Sequence, residues 1–308
     1  MERDKTMKPL SGVLPVFQTP FNDDETIDFA TLEREFDWLF ENAADGVVMA
    51  MASETLRLSS EERERLAEAT CRLGRDRGIV VISVGAEGST LAERFARHAE
   101  AHGADAVMAI PPVSVALGDD EIVRYYERII RAVRIPLVVQ DASGYVGRPM
   151  SIELQARLLK DYGPERVQFK PEAVPIGPRL TALREATGGR AQVFEGSGGG
   201  ALVESFRRGI SGTMPGADLI DAIVALWRAL NQGDEGRIYH ISFPLTSLLS
   251  LLYGLDGYLV VEKYLLKKRG IFKNSLVRGP VGFHLDEQTR EEIDRRFELL
   301  VEAVRAQL

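Results

Sequence analysis

The chain has 308 residues, 45% of them hydrophobic and 27% charged, which supplies a sizeable core and excludes a mainly disordered or collagen-like chain. Its 38 Lys plus Arg against 46 Asp plus Glu give a net charge of −8, and without a basic block it is a poor nucleic-acid binder. The single cysteine, Cys71, excludes an internal disulfide framework and a cysteine-cluster metal site.

The opening MERDKTMKPLSG has no apolar signal core, and with the lone thiol it points to a reducing, cytoplasmic setting. Beyond it, short apolar runs of the kind buried on both faces of a parallel sheet alternate with longer amphipathic segments. The run 12–17 (GVLPVF) precedes a helical period over 29–42. The run 46–51 (GVVMAM) precedes 59–77, which opens on the cap Ser59 with Glu61 and Glu62 behind it. Then come 79–84 and the helix 90–102, 105–110 and 119–133, and 136–140 and 151–162, the last capped by Ser151. The series ends with 166–170 and 177–187, 191–195 and 199–208, and 210–214 and 218–231.

Eight βα units over about 230 residues predict a (β/α)8 TIM barrel across 8–232. The rival is a doubly wound open sheet. If it bound a dinucleotide it would show a Gly-rich first turn, and Pro15-Val16-Phe17-Gln18-Thr19-Pro20 has the wrong chemistry. The alternation then stops, and 233–308 reads as a C-terminal extension of three helices. Its most apolar stretch, 241–261, is divided by Pro244 and by Gly254 and Gly257 into pieces too short to span a bilayer of about 30 Å, so it reads as buried helix, either in the core or at a subunit contact.

A barrel carries its chemistry at the C-terminal ends of its strands. Lys170 closes the sixth run, and of the eight lysines it alone follows a barrel strand. A sheltered amine that has lost its proton attacks a carbonyl to give a Schiff base, an electron sink for bond breaking at the next carbon. Holding an ordinary lysine deprotonated at pH 7 costs roughly 4–5 kcal/mol, which burial and a neighbouring cation reduce. The same position also suits a strand-end lysine paired with Glu172 or Glu195.

The opening Gly12-Val-Leu-Pro15-Val-Phe-Gln-Thr19-Pro20-Phe21, the Ser53-Glu54 loop with Leu58-Ser59-x-Glu61-Glu62-Arg63, Phe169-Lys170 and Gly209-Ile210-Ser211-Gly212 carry a resemblance over nearly the whole chain. They resemble the dihydrodipicolinate synthase / N-acetylneuraminate lyase family. The resemblance implies a (β/α)8 barrel, a homo-oligomer (dimer or tetramer), and an imine between Lys170 and the keto carbon of pyruvate or another 2-oxo acid. It implies neither cofactor nor metal.

Departures from the family pattern bear on substrate. Its Gly-Thr-Thr/Ser-Gly-Glu loop is here Ala50-Met51-Ala52-Ser53-Glu54, without the two hydroxyls that relay protons. The backbone of Met51, Ala52 and Ser53 can still hold a carboxylate, with Ser53 Oγ as a further donor. The fifth-strand tyrosine is replaced by Gln140, which orients a carbonyl, hydroxyl or water but is no general acid. Tyr145 falls near the family's arginine for a second substrate carboxylate, and Pro111-Pro112-Val113 replaces its tyrosine pair. Gln140-Asp141, Ser53-Glu54 and Lys170-Pro171-Glu172 resemble instead the branch of 2-keto-3-deoxy sugar acid dehydratases.

Lys170, Gln140 and Asp141 are therefore the expected catalytic set, with Met51, Ala52, Ser53, Glu172, Glu195, Gly196 and Met214 around the substrate. Asp141, Glu172 and Glu195, and a water held by Gln140, are the candidates for moving the proton at C3 and for the leaving hydroxyl. Dehydration, pyruvate-releasing aldol cleavage, condensation of pyruvate with an aldehyde, metal-dependent aldol chemistry and a non-catalytic 2-oxo acid binder remain as readings. Two further patterns have bland explanations. Glu195-Gly-Ser-Gly-Gly-Gly200 could cradle a phosphate or form a plain turn, and His98 and His102 share a face of an outer helix without an evident third ligand.

Overall fold

The computed structural model describes residues 10–306; residues 8, 9, 307 and 308, the ends of the two expected segments, lie outside them. The strands are β1 (Gly12–Val13), β2 (Gly46–Met49), β3 (Ile79–Ser83), β4 (Ala106–Ala109), β5 (Leu137–Asp141), β6 (Val167–Pro171), β7 (Phe194–Glu195) and β8 (Gly212–Thr213). They alternate with the helices α1 (Phe29–Glu41), α2 (Ser60–Gly74), α3 (Ser89–His102), α4 (Asp119–Ala132), α5 (Ile152–Tyr162), α6 (Ile176–Ala186), α7 (Leu202–Phe206) and α8 (Ile220–Gln232). All ladders are parallel: β2 to β6 pair in sequence order, and β8 pairs with both β1 and β7. Val16 bridges to Val48 and Phe169 to Val193, which joins the two sets into a closed TIM barrel.

β1 is shorter than the apolar run 12–17 because Pro15 has no N–H to give the ladder, although its carbonyl still accepts from Val48 N at 2.8 Å. α7 is shorter than expected because the chain first turns through Gly198 and Gly199 at φ +71° and +99°. Caps lie where the sequence puts them. Ser59 Oγ accepts from Glu62 N while Glu62 Oε2 accepts from Ser59 N, a capping box, and Ser151 Oγ accepts from Leu154 N.

Side chains alternate across each strand, so they divide into two apolar layers. Leu14, Val48, Val81, Met108, Val138, Phe194 and Met214 fill the barrel interior. Val47, Val80, Val107, Val139, Val167 and Phe169 pack outward beneath the helices.

The extension consists of α9 (Glu235–Leu249), α10 (Gly254–Lys268) and α11 (Glu287–Arg305). Among the described residues no single helix is long and apolar enough to cross a membrane; the 241–261 stretch is divided between α9 and α10, which meet at 115°. α9 lies against α8 and α11, and Ile241, Leu245, Val261, Leu265, Ile293 and Leu300 join the same outer core as the barrel helices. α10 runs instead to the mouth of the barrel, against the 3-10 turn Met51–Ser53 that follows β2.

Candidate active site

The two-residue period of β5 and β6 decides which side chains reach the mouth. Val138 and Gln168 point inward, so Gln140, Lys170 and Glu172 do too, and Gln140 is the register partner of Lys170. Lys170 is 3% exposed. Its Nζ lies 3.0 Å from Glu172 Oε1, and Glu172 Oε2 accepts from Gln140 Nε2 at 2.8 Å. Burial raises the Glu172 carboxyl above its ordinary range, against the pull of Lys170 and the Gln140 amide. That leaves a carboxylate more basic than an ordinary one, within reach of the amine proton. The cavity above these residues is also lined by Met51, Ala52, Gly196 and Met214.

Three expected site residues lie elsewhere, and parity or prior engagement explains each. Asp141 follows Gln140 and so faces the outer layer. Its carboxylate accepts from Ser143 N at 3.2 Å and Met150 N at 3.0 Å, and Arg179 stands 3.6 Å away. It braces the loop after β5 and lines no part of the cavity. Glu195 also faces outward and accepts from Ser197 N at 2.6 Å and Thr213 Oγ1 at 2.8 Å. This fills the Gly-rich turn from within, since the Ser197 amide that would meet a phosphate already holds a carboxylate. Ser53 is fully buried. Its hydroxyl donates to the Phe17 carbonyl at 2.6 Å and accepts from Ala50 N at 3.1 Å, so it stiffens the turn. The amides of Met51 and Ala52, which open that turn, are left to meet an anion.

The remaining lining comes from residues the sequence reading did not assign to the site. Tyr145, Leu255, Tyr258 and Glu262 all face the cavity, the last three from α10. The Tyr145 and Tyr258 rings meet edge to face at 5.5 Å. Burial pushes the Tyr145 phenol well up and the Tyr258 phenol to about 12, so both stay neutral. α10 is fixed over the mouth by the fully buried ion pair between Lys263 and Glu54. The only sequence signal for this wall was an apolar stretch ending in Glu262-Lys263, which reads equally well as core.

His98 and His102 sit ring to ring on α3 at 4.1 Å, each near a backbone carbonyl. Among the described residues no group of three or more His, Cys, Asp or Glu side chains is arranged to hold a metal ion.

The model of the Dihydrodipicolinate synthetase family matches residues 9–299. The chain belongs to that family. Like the family's other Schiff-base lyases and aldolases, this member acts on 2-oxo acids. It is 27% identical to the L-2-keto-3-deoxyarabonate dehydratase of Azospirillum brasilense, over 94% of this chain and 95% of that one. It is 29% identical to a probable 2-dehydro-3-deoxy-D-pentonate aldolase, YjhH of Escherichia coli K12, over 49% of this chain and 51% of that one. Among solved structures it resembles the dihydrodipicolinate synthase of Rhodopseudomonas palustris, with a TM-score of 0.86 at 27% identity, covering 94% of this chain and 98% of that one.

In this member of the dihydrodipicolinate synthetase family Gly196 sets how closely β7 approaches the amine. A Cβ there would lie 2.7 Å from Lys170 Cε and 2.9 Å from Glu172 Cγ. Gly196→Ala should therefore keep the fold by circular dichroism and lower kcat by about 10²-fold, the usual cost of displacing a reacting group by about an ångström. Unchanged kcat would mean that the lysine has room the geometry denies it.

Proposed function

We propose that the chain dehydrates a 2-keto-3-deoxy sugar acid through an imine on Lys170. The observation that carries this reading is the buried Lys170–Glu172–Gln140 array at the floor of the cavity. Glu172 takes a proton from the amine, which attacks the C2 carbonyl. The same proton then leaves with the carbinolamine hydroxyl as water, giving the iminium. Glu172, a carboxylate again, removes a C3 proton to form the enamine, while Gln140 holds Glu172 in line. The Met51 and Ala52 amides hold the substrate carboxylate. The enamine electrons then form the C3–C4 double bond as the C4 hydroxyl departs, and water releases the product from Lys170.

Two facts favour dehydration over condensation with an aldehyde. The relative matched along nearly its whole length is named a dehydratase, and the second-carboxylate arginine of the family pattern is here the neutral Tyr145. We further propose that the chain assembles with copies of itself in the cytoplasm. Phe243 and Tyr253, both in the 241–261 stretch, are 67% and 69% exposed, which supports an oligomer.

Borohydride reduction with pyruvate should leave one stable adduct, located on Lys170 by mass spectrometry. The same protein, offered a panel of 2-keto-3-deoxy pentonates and hexonates, should release a dehydrated 2-oxo acid without free pyruvate. Absence of an adduct would sink the imine; pyruvate release would turn the reading to aldol cleavage.

A further inference from the structure

Dehydration needs a group that gives a proton to the departing hydroxyl, and the array on β5 and β6 does not supply a separate one. Glu172 is occupied with the amine and with C3. The barrel contributes no tyrosine at Gln140 and no hydroxyl at Ala52, and Ser53 is spent on Phe17 and Ala50. One further carboxyl lines the cavity, that of Glu262, and it comes from outside the barrel, on α10. It sits on a different wall from Glu172. Glu172 neighbours Gln140 and Gly196, at β5 and β7, whereas Glu262 meets Gln18 beyond β1 and Gly216 beyond β8. The cavity that holds Lys170 is therefore lined by two acids carried on different elements.

We propose that Glu262 is the general acid that protonates the hydroxyl leaving C4. The inference rests on the dehydratase reading above and assigns its missing group.

The surroundings of Glu262 favour the acid over the carboxylate. Its carboxyl accepts from Gln18 Nε2, and Gln18 N donates to Glu35 Oε1 at 2.9 Å. A Cβ built on Gly216 would collide with the Glu262 carboxyl and come within 2.9 Å of Asp218 Oδ1, so the two acids crowd the same glycine. Glu35, Asp218 and Glu262 are all nearly or fully buried. The cations nearby are largely engaged: Lys263 with Glu54, Arg269 with Asp221, and Lys170 with Glu172. Gln18 Oε1 and Glu35 Oε2 have no donor. The cluster is short of hydrogens, and a protonated carboxyl supplies one. Burial, then Asp218 and Glu35, lift Glu262 well above the carboxylate range, against the opposing pull of Lys170 and Gln18. Burial likewise brings Asp218 to about 7 and raises Glu35. The other neighbour from α10, the Tyr258 phenol, is pushed to about 12 and stays neutral.

The proton count closes. Glu172 gains the C3 proton, Glu262 gives its own to the C4 oxygen, the C4–O bond breaks and water leaves. One proton passed back from Glu172 to Glu262, through the water that releases the product, resets both.

Glu262→Gln keeps size and polarity but cannot give a proton. It should trap pyruvate on Lys170 and exchange pyruvate C3 hydrogens with D2O at wild-type rates, because neither step uses the acid. Its dehydration kcat should fall by about 10²–10⁴-fold, the usual weight of general-acid catalysis. The wild-type loss of kcat as pH rises through the upward-shifted Glu262 ionisation should vanish. A substrate analogue whose C4 leaving group is a carboxylate ester, which departs without a proton, should restore the variant to within tenfold of wild type.

Dehydration by Glu262→Gln at the wild-type rate would overturn the proposal. So would equal loss of trapping, exchange and dehydration, which marks a structural role. If wild type cleaves every substrate to pyruvate and dehydrates none, the dehydratase reading falls and this inference with it. The wild-type arm thus separates that failure from the first two.

Discussion

Lys170→Arg should lower turnover by roughly 10⁶-fold, the scale on which removing a covalent nucleophile lowers kcat. Guanidinium keeps a charge beside Glu172 but does not lose its proton in proteins, so it cannot attack a carbonyl. Lys170→Ala should lose the same activity and leave Glu172 without its buried cation. Neither variant should trap pyruvate, and both should keep the far-ultraviolet spectrum of the barrel. The rival nucleophile is Lys263, which is fully buried. Its Nζ is held by Glu54 and by the Leu276 carbonyl at 2.7 Å, lies 4.4 Å from the centre of the Phe21 ring, and lines no part of the cavity. An adduct on Lys263, or turnover by Lys170→Arg within tenfold of wild type, would place the chemistry elsewhere.

Lys263→Met should destabilise the protein by about 3–5 kcal/mol, because it leaves Glu54 buried and uncompensated. Glu54 would retain only the Arg278 N–H, 3.0 Å from its Oε2. For a chain of this size the thermal midpoint should drop by about 2 °C per kcal/mol, or roughly 6–10 °C. Pairing it with Glu54→Leu removes the stranded charge, so the double variant should lose clearly less than the sum of the two single ones. Additive losses in differential scanning calorimetry would mean that the two side chains act independently.

The barrel was legible because each strand is a continuous apolar run and each helix carries its own start signal, as with Ser59 and Ser151. Lys170 was legible because a lysine that ends such a run is rare in this chain. Asp141 and Glu195 stand at strand ends like Lys170, but the two-residue period turns both to the outer layer. With Val138 and Phe194 facing inward, alternation alone sends Asp141 and Glu195 to the other face. Ser53 could not be judged from sequence, since its hydroxyl is consumed by the Phe17 carbonyl, 36 residues away along the chain. The α10 wall was hidden for a related reason. An apolar stretch states that a helix is covered, not what covers it, and the mouth of the barrel looks like any other core from within the helix.

With Lys170 and Glu262 acting as proposed, that wall makes the catalytic unit divisible. The amine and its base belong to the repeating βα scaffold, whereas Leu255, Tyr258 and Glu262 belong to one appended segment held down by Glu54 and Lys263. On that proposal, grafting 254–268 from a relative with a different substrate, together with that relative's partner for Lys263, should transplant the choice of reaction onto an unchanged electron sink. Such chimaeras offer a modular route to redirecting carbon–oxygen and carbon–carbon bond cleavage.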